Sequence, residues 1–327
     1  MTPSPAAPGR VVIVLNPMAA AGRAGRRTDA LKRAADRVLE DWELRVTEAR
    51  GHATHIAAEA AEAGADLVVA VGGDGTVHEV VGGLYDGARA RGDADTGLGL
   101  LPFGTGSDFQ RTLGLQADLE SSLRVIAQRR IRRIDLAVAE TTRDGSLVEE
   151  PFINVAGFGA NGEVVRRANQ MDKRWGGGLT FFRASLETAV AWKPVPLRLT
   201  WRLGPDDPDE TWEGTVLSGF VANGAYCGGG MWVGRGGSIH DGRFDVTVLP
   251  PDSAIVQVIR SRRLYDGSLV NWPGARRFQA SALTVEPAGH RTATIDLDGE
   301  AGGSLPARFR VLPGALRVCG QWSNDAG

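Results

Sequence analysis

Three short apolar runs limit what this chain can fold into. Val11–Leu15, Leu67–Val71 and Leu98–Leu101 are continuous rather than alternating, and each stops at a turn: Asn16-Pro17, Gly72-Gly73 and Pro102. A strand that is apolar at every position is buried on both faces, which is the condition of a parallel sheet covered by helices. The segments between the runs agree. Leu31, Ala34, Ala35, Val38 and Leu39 fall on one face of a helix over 28–42, and 52–63 is Ala-rich and helical up to Gly64. Further helices are expected over 77–85 and 119–128, with a short strand at 44–47. The first part of the chain is therefore an α/β domain of Rossmann-like alternation.

The second part changes character. Strands are expected over 134–140, 151–156, 197–203, 211–222, 244–249, 282–286 and 294–297, set among Gly, Pro and Asp turns. Only 180–191 and 253–263 read as helices there. This is the pattern of a mainly antiparallel, β-sandwich-like domain. The boundary falls near 133–137, giving domains 1–136 and 137–327. At 327 residues with 43% hydrophobic and 23% charged residues, each domain can bury a core. Lys+Arg number 37 against 39 Asp+Glu, a net charge of −2, which argues against a nucleic-acid binder held by bulk charge. Two cysteines, Cys227 and Cys319, leave no room for a disulfide framework. No apolar run approaches 18 residues and no hydrophobic leader opens the sequence, so a cytoplasmic protein is expected.

The chemistry is concentrated after two of the buried runs. Gly72-Gly73-Asp74-Gly75-Thr76 lies directly between a strand and a helix. Glycines let backbone N–H groups reach a phosphate, and a helix N-terminus adds the positive end of its dipole. Open α/β sheets bind ligands at the carboxyl ends of their strands. Asp74 is out of place beside a phosphate unless a cation lies between, and magnesium is the natural cation for nucleotides. The loop is neither a Walker A nor a GxGxxG motif. The second segment, Leu101–Arg111 (LPFGTGSDFQR), brackets Thr105 between Gly104 and Gly106, and its Ser107 and Asp108 can cap the following helix.

These segments, VGGDGTVHEVVGGL and LPFGTGSDFQR, resemble the diacylglycerol kinase catalytic domain, the bacterial YegS-like soluble lipid kinases above all. Asn16-Pro17 with Gly22, Arg133–Leu136, Asn154–Gly159 (NVAGFG), the glycine-rich stretch 228–246 and Asp298-Gly299-Glu300 match further family features in order, over roughly residues 10–318. The resemblance implies a nucleotide-binding domain, a β-sandwich-like domain and a site in the cleft between them. It implies an ATP-dependent, magnesium-dependent kinase acting on a lipid hydroxyl. Asn16, Thr47, Gly72, Gly73, Asp74, Gly75, Thr76, Val77, His78, Gly104 and Thr105 would line the nucleotide. Asp241 would ligate magnesium, with Ser238 and Arg243 helping through backbone carbonyls and Asp135 holding the metal's water network. Glu300, with Asp74, would be catalytic, Glu300 as proton acceptor. A membrane lipid is the implied substrate, with peripheral contact at the inner face of the membrane and a possible homodimer.

Three positions depart from the family pattern. Ser107 stands where Asn is usual, and Arg235 and His240 where Pro and Asp or Asn are expected. Asp296, Asp298 and Glu300 alternate and would share a face if the strand continued. His52 and His55 form an HxxH pair without a third ligand nearby. Arg129, Arg130, Arg132 and Arg133 read as a solvated helix terminus. Two groups suit an anionic membrane: Arg260, Arg262, Arg263, Arg276 and Arg277 around Tyr265 and Trp272, and residues 173–182 with Lys173, Arg174, Trp175, Phe181 and Phe182. The rivals are an NAD kinase-like enzyme, which shares a GGDGT loop, and a catalytically weak nucleotide- or lipid-binding module.

Overall fold

The computed structural model describes residues 9–92, 95–102, 107–115, 118–171, 183–184, 187–188, 191–234 and 238–322. Two compact units emerge: Met1–Ile134 with Gly314–Gly327, and Asp135–Pro313.

The first unit is built on parallel strands. β1 (Val11–Leu15) pairs with β2 (Trp42–Val46) on one side and β3 (Leu67–Gly72) on the other, and β3 pairs with β4 (Gly97–Pro102). Every residue of β1 and β3 is buried, as their unbroken apolar character requires. The order therefore reverses between β1 and β3, the point where an open sheet leaves a crevice at its carboxyl edge. Helices α1 (Ala19–Arg26) and α2 (Thr28–Ala35) follow β1, and α3 (His52–Glu62) follows β2. After β3 comes α4 (Asp74–Arg91), and after β4 come α5 (Asp108–Thr112) and α6 (Leu119–Gln128). The helix expected over 28–42 stops at Ala35, and the one expected over 77–85 is longer at both ends. Helices α3 and α4 touch closely: a Cβ on Gly83 would lie 2.1 Å from the Thr54 carbonyl oxygen, and one on Gly87 2.7 Å from the Ala61 Cβ. Only glycine permits that approach.

A last strand, from the C-terminal end of the chain, completes this unit. Arg317 and Val318 pair in parallel with Gly97 and Leu98 of β4. The arginine run after α6 clasps it. Arg130 donates to the Trp322 carbonyl, Arg132 lies 5.6 Å from the Trp322 ring centre, and Arg133 donates to the Gly314 carbonyl. Cys319 is buried and donates through Sγ to the Val125 carbonyl. The run is therefore a structural clamp rather than a solvated terminus.

The second unit is antiparallel. Its strands are β5 (Ile131–Arg143, entering from the first unit), β6 (Ser146–Phe152), β7 (Val155–Gly159), β8 (Val195–Arg202), β9 (Glu210–Val216) and β10 (Ser218–Ala222). The small hairpin β11 (Tyr226–Cys227) and β12 (Met231–Trp232) precedes β13 (Phe244–Leu249), β14 (Arg276–Ala280), β15 (Ala282–Pro287), β16 (Thr294–Leu297) and β17 (Glu300–Cys319). Neighbours run β14-β13-β10-β7-β16-β17-β15-β8-β9, all antiparallel. Strand β8 shows the expected alternation: Val195, Leu197, Leu199 and Trp201 enter the core while Arg198 and Arg202 face out to Glu213 and Asp209. Phe152, Phe158, Phe244 and Phe309 fill the same core, and Phe152 stacks on Phe244 with ring centres 6.1 Å apart. Burying each such ring contributes about 1.5–3 kcal/mol.

Several features differ from the sequence expectation: the run 211–222 is two strands, β9 and β10, and β14 and the long β17 lie where no strand is expected. The run 151–156 is two strands, broken at Ile153-Asn154. Helix α7 (Ala160–Gln170) follows β7 without any side-chain cap, from Gly159 at φ 83°. The helix expected over 180–191 falls largely outside the described residues.

Candidate functional site

In the first unit the sequence-predicted nucleotide residues gather at the carboxyl ends of β1, β2 and β3. The Asn16 N–H donates to the Val71 carbonyl (3.1 Å), and the Thr47 N–H to the Leu15 carbonyl (2.9 Å). Asn16 Nδ2 donates to Thr76 Oγ1 at 3.2 Å, and Asn16 Oδ1 accepts from the Met18 N–H at 3.0 Å. One side chain thus joins the loop after β1 to the first turn of α4. Gly72 has to be glycine, because a Cβ there would meet Thr76 Oγ1 at 2.3 Å. Gly73 is the N-cap of α4 and makes no side-chain cap; a Cβ on it would meet nothing within 4 Å. Helix geometry provides no acceptor for the amides of Asp74 and Gly75. Two N–H groups at a positive helix end are therefore left without an intrahelical acceptor next to Gly73. The side chains of Val77 and His78 turn into the interior. Gly104, Thr105 and Arg235 lie outside the described residues.

The loop after β1 is strained. Ala20 and Ala21 sit in the left-handed region (φ 53° and 56°), followed by Gly22 at φ 78°. Non-glycine residues held there cost about 1 kcal/mol or more each and cluster at functional loops.

Asp74 points sideways rather than outward. Its Oδ1 accepts from Ser107 Oγ (3.0 Å), from the Asp108 N–H (2.8 Å) and, at 3.5 Å, from the Phe109 N–H. The carboxylate of the first motif thereby seats on the N-terminus of α5, which belongs to the second motif. Ser107 is also the N-cap of α5, accepting from the Gln110 N–H at 3.3 Å. Burial, and then the neighbouring Asp108 charge, push the Asp74 carboxyl up to about 6, against the pull of these hydrogen bonds. Asp108 is itself buried and paired with Arg111 at 3.2 Å.

Glu79, one turn further along α4, is a site-supporting residue that the sequence does not mark. Its carboxylate accepts from the Gly51 N–H (2.9 Å) and the Ala53 N–H (3.2 Å), capping α3. His52, of the HxxH pair, accepts instead from the Glu48 N–H at 3.1 Å.

In the second unit Asp135, Ser238, Asp241 and Arg243 come together around one turn. Asp135 is buried; its N–H donates to the Ile239 carbonyl (2.7 Å) and its Oδ2 accepts from the Gly242 N–H (2.7 Å). Asn223 Nδ2 donates to the Asp135 carbonyl at 3.3 Å. The turn 239–242 is thus pinned from beneath, with Asp241 exposed at its tip. Asp241 Oδ1 accepts from the Arg243 N–H (3.1 Å), and Ser238 Oγ from the His240 N–H (3.2 Å). Among the described residues no group of three or more His, Cys, Asp or Glu side chains could cage a metal. A cation here would be held by one carboxylate, backbone carbonyls and ligand oxygens, a donor set that suits magnesium.

Glu300 opens β17. Asp298 and Gly299 form a two-residue hairpin turn with φ 52° and 85°, the type I′ geometry that Asp-Gly favours. Asp296, Asp298 and Glu300 therefore do not share one strand face. Asp298 accepts at Oδ1 from the N–H groups of Asn154 (2.8 Å) and Val155 (3.1 Å) and at Oδ2 from that of Ile153 (2.9 Å). Asp296 is buried. Desolvation, and then the Asp298 charge, raise its carboxyl to about 7. Its partner strand leaves it room, since a Cβ on Gly157 would lie 2.1 Å from Asp296 Oδ2.

The chain matches known proteins over nearly its whole length. The diacylglycerol kinase catalytic domain matches residues 10–139, and the YegS C-terminal NAD kinase beta sandwich-like domain matches residues 154–320. A protein of Pseudomonas aeruginosa (strain UCBPP-PA14) named probable lipid kinase YegS-like is 31% identical over 309 residues, which are 94% of this chain and 93% of that one. Its namesake in Stenotrophomonas maltophilia (strain K279a) is 30% identical over 276 residues, 84% and 85% of the two chains. The crystal structure of a diacylglycerol kinase from Bacillus anthracis superposes with a TM-score of 0.69 at 22% identity, over 96% of this chain and 97% of that one.

Proposed function

Because the chain belongs to the YegS-like lipid kinase family and carries its diacylglycerol kinase catalytic domain, we propose that it is an ATP-dependent kinase transferring the γ-phosphoryl group to a lipid hydroxyl. A diacylglycerol is the first choice of acceptor, with a sphingoid base, a ceramide or phosphatidylglycerol as alternatives. The enzyme would work in the cytoplasm at the inner face of the membrane; no described helix is long and apolar enough to cross one.

The first turn of α4 carries this reading. The amides of Asp74 and Gly75, beside the open space at Gly73, suit a phosphate chain, and Asn16 and Thr76 fix the approach. Magnesium bound with the nucleotide would neutralise charge developing on the phosphoryl oxygens. Asp241 would hold it, on a turn fixed by Asp135. Phosphoryl transfer proceeds through a loose transition state, so positioning and charge do most of the work and a base adds about 10²–10⁴-fold. Glu300 would accept the hydroxyl proton. Asp74, titrating near 6, would keep the two nucleotide loops together in its ionised form.

The test is a kinase assay with magnesium-ATP and a panel of diacylglycerol, sphingosine, ceramide, phosphatidylglycerol and NAD. A phosphorylated lipid is expected, with activity abolished in Asp74→Ala at unchanged circular dichroism. Phosphorylation of NAD alone would reassign the enzyme to the NAD kinase class. Nucleotide binding without transfer to any acceptor would make it a binding module.

A further inference from the structure

One surface of the second unit has the wrong polarity for water. The helix Ala254–Arg260 buries none of its residues, and its outward stripe consists of Ile255, Val258 and Ile259, which are 74%, 53% and 67% exposed. These three are spaced i, i+3, i+4, so they form one continuous ridge. The next position of the same stripe is Arg262, largely exposed and 3.7 Å from Asp266, and Tyr265 follows at 53% exposure.

This orientation is held in place. Asp252 Oδ2 accepts from Arg260 Nη1 (2.6 Å) and from the buried Trp272 Nε1 (3.2 Å), and Arg260 lies 5.9 Å from the centre of the Trp272 ring. Ser253 caps the helix by accepting from the Val256 N–H, and Gln257 Nε2 donates to the Asp252 carbonyl. Leu264, Leu269 and Trp272 pack into the neighbouring core. A rotation that turned the isoleucines inward would break the Arg260–Asp252–Trp272 contact. The polar anchor therefore faces the protein and the apolar ridge faces away.

We propose that this ridge, with Tyr265 and Arg262, is the surface on which the protein seats itself on an anionic lipid bilayer. Charge decides the occupant. Residues 252–277 carry five arginines against two aspartates, in a chain whose net charge is −2. Apolar side chains bordered by arginine and tyrosine suit the headgroup boundary of an anionic membrane. A second copy of the chain seated on the ridge about a two-fold axis would bring the exposed Arg262 of both copies into the same contact. The surface deepens the lipid kinase reading by giving the enzyme access to a membrane-held acceptor. Binding is measured without nucleotide, however, so either idea can fail alone.

The experiment is sedimentation of the full chain with phosphatidylcholine vesicles, with and without phosphatidylglycerol. Wild type is expected to bind, more tightly when phosphatidylglycerol is present and less so as salt rises. The double variant Ile255→Asp/Ile259→Asp is expected to lose on the order of 10²-fold in partitioning. Arg262→Glu, at a largely exposed side chain whose contact is with Asp266 rather than the core, is expected to lose the preference for phosphatidylglycerol while keeping its fold. Both variants should still phosphorylate a short-chain diacylglycerol dissolved below its micelle concentration. Wild-type partitioning in the double variant, or no vesicle binding by wild type, would overturn the proposal. So would a wild-type dimer that dissociates in Ile255→Asp/Ile259→Asp, which would make the ridge a subunit contact.

Discussion

The hydroxyl of Ser107 donates to the Asp74 carboxylate at 3.0 Å and, on its other side, accepts from the Gln110 N–H at 3.3 Å. A serine hydroxyl has one donor and two acceptor positions, so this single group both helps tie the two glycine-rich motifs together and caps α5. An Asn here would offer an amide oxygen and an amide nitrogen for these tasks, whereas one rotatable O–H serves in both.

Removing that hydroxyl should be visible in the pH profile. A donor to a carboxylate favours its ionised form, so Ser107→Ala raises the Asp74 carboxyl above its value of about 6. The acidic limb of kcat/KM is expected near pH 6 in wild type and displaced to higher pH in Ser107→Ala. Ser107→Asn should restore it. The lost cap also costs about 1 kcal/mol of stability. An acidic limb that stays in place would separate Asp74 ionisation from activity.

Metal dependence should report on the turn beneath Asp241. Asp241→Asn is expected to raise the magnesium concentration for half-maximal rate with little effect on stability, since the side chain is exposed. Asp135→Asn should raise it as well, because the Gly242 N–H loses its charged acceptor, and should cost about 1–3 kcal/mol on denaturation. Identical magnesium titrations for Asp241→Asn and wild type would remove that carboxylate from the metal site.

Glu300→Gln is expected to lower kcat by on the order of 10²–10⁴ and leave the KM for ATP nearly unchanged, the pattern of a lost proton acceptor. Gln keeps the size and one acceptor, so the hairpin should survive. A loss below about threefold would make Glu300 structural. Asp298 would then be the next candidate, although three backbone N–H groups at 153–155 already bond to its carboxylate.

Asp296 should shape stability rather than turnover. Its carboxyl rises from 3.8 to about 7 on folding. Below pH 3.8 it is protonated in both states and costs nothing. As pH rises toward 7 the unfolded chain releases the proton and the folded one retains it, so folding grows less favourable, and the penalty levels off above 7. The stability of Asp296→Asn relative to wild type is therefore expected to increase between about pH 4 and 7 and then stay constant. Urea denaturation across that range measures the difference, and a constant difference would contradict the burial argument.

The parallel sheet and the Gly72–Thr76 loop are legible in the sequence because their causes are local. Burial on both faces forces unbroken apolar runs, and the close approach of Gly72 to Thr76 requires glycine. What escapes is set by distant partners. The break between β6 and β7 at Ile153-Asn154 exists because Asp298, over 140 residues away, takes those N–H groups. Glu79 reads as an ordinary helix residue until α3 is packed beside it. Helix α7 hides behind NVAGFGANGE, whose glycines look like a loop. Its start is instead fixed by packing: a Cβ on Gly162 would lie 2.3 Å from the Thr294 carbonyl oxygen. The arginines at 129–133 likewise make sense only once the C-terminal segment is seen between them.

That C-terminal segment also sets a schedule for biosynthesis. The strand that pairs with the outer edge of β4 is made after the whole of the second unit, so the nascent first unit leaves the ribosome with that edge open at Gly97-Leu98 and the arginines without their tail. An open edge of this kind invites mispairing while it waits. A fragment ending at Ile134 would keep the nucleotide loops but carry that edge permanently. Such a fragment should be soluble only when the peptide 314–322 is supplied in trans or fused back after a short linker.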